Sequence, residues 1–132
     1  MIDPTVRVRL ARPSRDLAAA ERFHTAGLGL DVLWRTTARV PGEHDLLMVG
    51  LPGASWHVEL THDPERPREP TPTADDLFVI YLGEPVGASL IDRLVAAGGT
   101  RVPSHNPYWE RYGVTIADPD GYRLVLCSRT WG

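Results

Sequence analysis

The chain opens on residues 6–10, where apolar side chains alternate with arginine. A period of two predicts a half-buried strand. Between Ser14 and Gly27 the apolar positions recur every three or four residues, which predicts a helix capped by Ser14. Proline-glycine pairs and polar residues then punctuate short apolar runs. These runs predict three strands, at 31–37, 45–51 and 55–61.

The second half of the chain follows the same plan. An apolar run at 77–82 predicts a strand, and the apolar spacing over 86–98 predicts a helix that ends near Gly98. Further strands are predicted near Arg101, at 113–117 and at 122–128.

A proline-rich segment, DPERPREPTPTAD at 63–75, separates the two halves. Its prolines cannot donate to a sheet ladder and disfavour helix in their neighbours, which indicates an extended connector. We therefore predict module one at 1–62, a linker at 63–75 and module two at 76–132. Each module reads as a βαβββ unit, so the expected class is α+β with a duplicated unit.

The composition of the chain excludes several kinds of partner and chemistry. The 132 residues are 42% hydrophobic and 23% charged, which is typical of a globular domain. The net charge is −3 and no basic run is present, so nucleic acid is not an expected partner. All 14 basic residues are arginine, which excludes a Schiff base on lysine.

A membrane-spanning segment, a signal peptide and an intramolecular disulfide are also not expected. No stretch reaches the roughly 20 apolar residues of a membrane span, and the first ten residues lack the apolar core of a signal peptide. Cys127 is the single cysteine, so an intramolecular disulfide is excluded. We expect a cytoplasmic protein in which Cys127 is a small buried hydrophobe.

Three segments resemble motifs of one superfamily: DLAAAERFHTAGLGLDVL at 16–33, HVELTHDP at 57–64 and NPYWERYGVTIADPDGYRLVL at 106–126. The first resembles its helix-and-turn signature, the second its glutamate-bearing strand and the third its closing hairpin. The chain thus resembles the vicinal oxygen chelate superfamily of glyoxalase, bleomycin-resistance and dioxygenase proteins. The resemblance implies a cupped mixed sheet whose paired modules enclose a small-molecule cavity beside a divalent metal.

The resemblance also implies four metal positions, with His or Gln on the first strand of each module and Glu on the last. In this chain they fall on Glu59, on Val125, on Arg9 or Arg7, and on Leu77 or its neighbour Phe78. Only Glu59 is a ligand, so we expect no cofactor and no metal, with Glu59 as the anchor if a metal is bound. A buried carboxylate needs a partner, and Arg9 or Arg123 is the expected one. A site rebuilt on His57, Glu59 and His62 is the alternative.

The expected ligand-binding residues follow from strand alternation. If Glu59 faces the cavity, His57 does too, while Trp56, Val58 and Leu60 face the other way. The aromatic pair at 108–109, placed in a loop, either closes over a ligand or plugs the core. His24 is expected on the helix surface. The full candidate set is Arg9, His57, Glu59, Tyr81, Tyr108, Trp109 and Arg123.

Metal-free binding of a small organic ligand, in the manner of the resistance proteins of the superfamily, is the leading functional hypothesis. One alternative is a metal-dependent glyoxalase-type lyase or isomerase, or a dioxygenase, that uses Glu59. Another is a metal-free enzyme with His57 or Glu59 as general base. A homodimer is expected, because an exposed edge strand can be covered by a second copy.

Overall fold

The computed structural model describes residues 1–131 and contains eight strands and three α-helices within that range. Module one comprises β1 (Val8–Pro13), α1 (Leu17–Arg22), β2 (Asp31–Thr36), β3 (Asp45–Gly50) and β4 (Trp56–His62). Module two comprises β5 (Leu77–Tyr81), α2 (Ala88–Ala96), β6 (Thr100–Val102), α3 (Pro107–Tyr112), β7 (Gly113–Ala117) and β8 (Arg123–Cys127).

The two modules share one topology. Module one forms a four-stranded sheet in the order β1-β4-β3-β2, and module two forms a second sheet in the order β5-β8-β7-β6. The first strand of each sheet runs parallel to its neighbour, and the other pairs are antiparallel. The predicted α+β class with two βαβββ modules is therefore confirmed. In the part of the chain that the structure describes, no helix is long and apolar enough to cross a membrane.

The first helix starts later than its pattern predicts. Asp16, not Ser14, caps α1 and accepts hydrogen bonds from the backbone N–H groups of residues 18 and 19. Ser14 is buried and donates instead to Asp120 in module two. A π-helical turn at Phe23–Gly27 continues α1, so the predicted span is helical without being α-helical throughout.

A short helix, α3, lies where the sequence predicts a loop. Asn106 caps it by accepting from the N–H of Tyr108, and Pro107 occupies its first turn, where a missing N–H costs nothing. The placement of Tyr108 and Trp109 in a loop is therefore wrong, since both lie on α3.

Two apolar clusters form the core. Val58 and Leu60 of β4 pack with α1 in the first cluster, and Leu124 and Leu126 of β8 pack near α2 in the second. Phe78 contacts both clusters and so joins the modules. Cys127 is buried as expected, with none of its surface exposed.

The expectation for His24 is wrong, because the residue is 1% exposed. Its Nδ1 lies 2.7 Å from the carbonyl oxygen of Ala20, one turn back, which gives the buried ring a polar partner. Burial lowers the pKa of His24.

A polar junction, residues 12–15 of module one and 118–122 of module two, ties the modules together. Asp120 accepts from Ser14 Oγ at 2.6 Å and from the Arg15 N–H at 2.8 Å. Tyr122 donates its hydroxyl to the Pro13 carbonyl at 2.7 Å. The Asp-Pro-Asp-Gly turn is thus held against the connection between β1 and α1.

Asp118 lies in the same junction with one unpaired oxygen. Its Oδ1 accepts from the N–H groups of Asp120 and Tyr122, while its buried Oδ2 has no partner within residues 1–131. Burial is the main cause that raises the pKa of Asp118 from 3.8 to about 6.

This shift predicts the sign of a pH effect on stability. Because the folded-state pKa of Asp118 is raised, its contribution to the free energy of unfolding is largest below about pH 4 and falls as pH rises to 6. Above pH 6 the folded protein carries a cost of roughly 3 kcal/mol from this group. Relative to the parent, Asp118→Asn should therefore gain stability between pH 4 and pH 7.5, as urea unfolding would measure. The titration of His24 contributes equally to the free energies of unfolding of the parent and of the variant, so it does not affect the difference between them. A carboxyl NMR titration of Asp118 with a midpoint below 4.5 would contradict the prediction.

Candidate functional site

The two faces of β4 differ in chemistry. Val58 and Leu60 lie in the core, as predicted, while His57 and Glu59 occupy the opposite face. Alternation along a strand produces this division, and the register of the sheet extends it to the neighbouring strands.

One row of directly paired residues crosses the sheet of module one. Glu59 on β4 pairs with Met48 on β3, and Met48 pairs with Trp34 on β2. Arg9 on β1 pairs with His57 in the next row on the same face. We call this surface the open face; its members are Arg9, Leu33, Trp34, Met48, His57 and Glu59.

Gly50 leaves room for two side chains of the open face to lie close together. A Cβ atom built at Gly50 would lie 3.0 Å from Leu33 Cδ1 and 3.1 Å from His57 Cβ. The missing side chain therefore lets Leu33 and His57 approach each other across β3.

The hydrogen bond from Arg9 indicates which nitrogen of the His57 ring carries the proton. Arg9 Nε lies 3.0 Å from His57 Nε2, and an arginine Nε–H can only donate. His57 Nε2 is thus the acceptor, and the neutral ring carries its proton on Nδ1. Because the lone pair of the ring is already engaged, His57 is poorly placed to act as a general base.

Glu59 is buried without a hydrogen bond. Its side chain is 10% exposed, and its nearest cation, Arg9 Nη1, lies 3.6 Å from Oε1, beyond hydrogen-bonding distance. No group among residues 1–131 donates to this carboxylate. The pairing with Arg9 expected from the sequence is therefore present as an ion pair, and the acceptor capacity of Glu59 remains free.

The residues at the implied metal positions do not fit a metal. Arg9 places a positive charge beside Glu59, and Leu77 and Val125 offer no donor atoms. His62, the third member of the alternative site, is an odd number of residues from Glu59 on β4 and bonds the Ser14 carbonyl. Within the described range, no three His, Cys, Asp or Glu side chains are grouped so as to hold an ion.

The corresponding face of module two is filled. Val125 and Thr115 form a pair across β8 and β7, and both are buried. The short helix α3 packs against these two strands, and a Cβ atom at Gly113 would lie 3.2 Å from the Trp109 carbonyl oxygen and 3.3 Å from Val125. Arg123, on the same strand, donates to the Pro103 carbonyl at 3.0 Å rather than to Glu59.

The aromatic candidates form a separate group. The ring centroids of Tyr81 and Trp109 are 6.3 Å apart, and those of Tyr108 and Trp109 are 4.9 Å apart. The structure thus brings together Arg9, His57 and Glu59, and it places Tyr81, Tyr108 and Trp109 around α3.

Sequence reasoning missed the apolar half of the open face, Leu33, Trp34 and Met48. Trp34 is 58% exposed, which is unusual for so large an apolar side chain. A β-bulge between Val32 and Trp34 shifts the register, so simple alternation does not reveal the faces of β2. The signal available in the sequence was a tryptophan in the predicted strand at 31–37.

Comparison with known proteins gives two matches to family models. Residues 8–61 match the YycE-like N-terminal domain, and residues 75–128 match the YycE-like C-terminal domain. A curated relative, protein YycE of Bacillus subtilis strain 168, is 38% identical over 123 residues, covering 92% of this chain and 87% of the relative.

Solved structures agree. A crystal structure of a YycE protein of unknown function from Bacillus subtilis has a TM-score of 0.85 and 36% identity, covering 97% of this chain and 92% of that chain. Glyoxalase I of Leishmania major (TM-score 0.69, 19% identity, 92% and 84% covered) and the antibiotic binding protein TnmS3 of Streptomyces sp. CB03234 (0.63, 21%, 98% and 99%) share the fold. The chain belongs to the YycE-like family of the vicinal oxygen chelate superfamily.

Proposed function

We propose that the protein binds a small organic ligand on the open face of module one without a catalytic metal. The observation that carries the proposal is the Arg9–Glu59 pair. A guanidinium stands at the position where the family implies a metal-binding histidine, beside a carboxylate with unused acceptors. Trp34, Leu33 and Met48 add an apolar surface to this polar pair, which is the usual composition of a small-molecule site.

The fold supports such a role. TnmS3, which has the same fold, is an antibiotic binding protein, and FosX of Mesorhizobium loti, with a TM-score of 0.68 and 12% identity, is a fosfomycin resistance protein. Ligand binding on this fold is therefore compatible with more than one chemistry, and the residues of this chain decide between them.

Metal analysis is the direct test. We expect less than about 0.1 equivalent of any divalent ion after purification without chelators, because one carboxylate cannot supply the three or more further ligands that a cation needs. The positive charge of Arg9 would also repel a cation bound at Glu59, by about 1–4 kcal/mol. The control is Arg9→His, which should bind Zn²⁺ more tightly than the parent. A stoichiometric ion on Glu59 in the parent would instead support the lyase, isomerase or dioxygenase alternative.

A homodimer would complete the site. Val8 and Leu10 on the edge strand β1 are 57% and 49% exposed, and the open face has no cover above Trp34 within the described chain. A second copy can shield both the edge and the apolar side chains. Light scattering should give twice the chain mass at high micromolar concentration, and a monomer there would contradict the proposal.

A further inference from the structure

The open face carries the Arg9 donor and the Glu59 acceptor side by side, without a hydrogen bond between them. The Glu59 carboxylate is nine-tenths buried and accepts no hydrogen bond within residues 1–131. Arg9 uses its Nε on His57, while its Nη2 makes only a weak contact with Met48 Sδ at 3.8 Å. Free guanidinium N–H groups therefore lie next to a free carboxylate. Burying a carboxylate without a hydrogen-bond donor is costly, and a ligand that donates to Glu59 can relieve that cost, while the half-exposed Arg9 keeps N–H groups that a ligand can reach.

Charge selects among possible ligands. Arg9 and Glu59 already neutralise each other at 3.6 Å, and His57 is neutral because its Nε2 accepts from Arg9. A cationic ligand would place two positive charges against one carboxylate, and an anionic ligand would place two negative charges against one guanidinium. A neutral ligand keeps the site balanced while it makes both hydrogen bonds.

Shape adds a second condition. Trp34 is 58% exposed on the same face and lies two strands from Glu59. Since neighbouring strands are about 4.8 Å apart, roughly 10 Å separates the polar pair from the indole. A flat system of about three rings spans that distance and can stack on Trp34.

We propose that the open face recognises neutral, flat ring systems that carry a hydrogen-bond donor beside an acceptor, as a fused lactam does. The lactam N–H donates to Glu59, the lactam carbonyl accepts from Arg9, and the rings pack on Met48 and Trp34. The proposal rests on the proposed function and names the ligand class for that site.

Phenanthridin-6(5H)-one is a suitable probe, because it is a neutral three-ring lactam. Its N-methyl derivative lacks the donor, N-methylphenanthridinium is a cation, and phenanthrene-9-carboxylate is an anion of similar size. We expect the lactam to shift the NMR signals of the Trp34 indole and the Arg9 Nε–H. Its affinity should exceed that of each comparator by about 10-fold or more, the effect of one charge-assisted hydrogen bond.

The variant Glu59→Gln separates recognition from structural damage. It should weaken the lactam about 10-fold and leave the N-methyl derivative within about twofold, since only the lactam donates to Glu59. Equal weakening of both probes, or tighter binding of the cation or the anion, would overturn the ligand class while leaving the proposed function standing. If none of the four probes shifts any signal of the open face, the proposed function fails as well.

Discussion

Replacing Gly99 with alanine should destabilise the protein by about 3 kcal/mol, more than any other single methyl group we consider. A Cβ at Gly99 would lie 2.7 Å from Ile116 Cγ2, 2.8 Å from the Leu94 carbonyl oxygen and 2.8 Å from Phe23 Cε1. All three neighbours are buried, and one is backbone, so relief requires α2 to move away from β7. Overpacking of this kind typically costs 1–3 kcal/mol, and three simultaneous contacts place Gly99 at the upper end.

Gly87→Ala is the matched control for this glycine. No atom lies within 4 Å of its Cβ position, and its φ of −71° suits any residue. Since Gly87 is the N-cap of α2, where alanine is less favourable than glycine, the change should cost no more than about 1 kcal/mol. Urea unfolding of both variants beside the parent measures the difference. If Gly99→Ala lowers the free energy of unfolding by less than about 1 kcal/mol, α2 can move away from β7 at little cost and the prediction is wrong.

The duplication of the modules hides an asymmetry that decides where a ligand can bind. In module two, α3 packs over the sheet and Val125 is fully buried. Module one has no helix in the corresponding position between β2 and β3, and Trp34 remains exposed. The same architecture thus supplies one filled sheet and one accessible sheet, and the accessible one holds the Arg9–Glu59 pair.

The sequence was sufficient for most of the fold because its strands carry strong local signals. The period of two along β4 separates Val58 and Leu60 from His57 and Glu59, and the structure has the same division. The helix α3 was missed because PYWERY has no apolar period. Its start signal, Asn106 followed by Pro107, was present and would have predicted a capped helix.

The candidate site was predictable only in part. Arg9 could be placed beside the strand of Glu59, since the first and last strands of a module are neighbours in the family. Trp34 and Met48 could not be placed, because their row depends on the register of β2 with β3 and on the bulge that shifts it. Ser14 shows the same limit, since a local cap signal was overridden by Asp120, which lies over 100 positions away.

The second large effect is expected at that long-range contact. Asp120→Ala should destabilise the protein by about 3 kcal/mol, because the buried Ser14 hydroxyl and the partly buried Arg15 N–H would both lose their acceptor. Each unsatisfied buried donor costs about 1–3 kcal/mol. The Arg15 guanidinium would also lose the more distant of its two carboxylate partners, since its Nη1 lies 3.7 Å from Asp120 Oδ1 and its Nε lies 2.7 Å from Glu69 Oε2.

Two further variants make the measurement specific. Asp120→Asn keeps an acceptor for the Arg15 N–H, and its amide can donate to the Ser14 hydroxyl, so the expected loss is only about 1 kcal/mol. Asp75→Ala removes an exposed carboxylate from the linker and should change stability by less than about 0.5 kcal/mol. Chemical denaturation of the three variants at pH 7.5 should therefore give the lowest free energy of unfolding for Asp120→Ala. The value for Asp120→Asn should be clearly higher, and the value for Asp75→Ala should be the highest. Equal stability of the two Asp120 variants would mean that the buried acceptor does not hold the modules together.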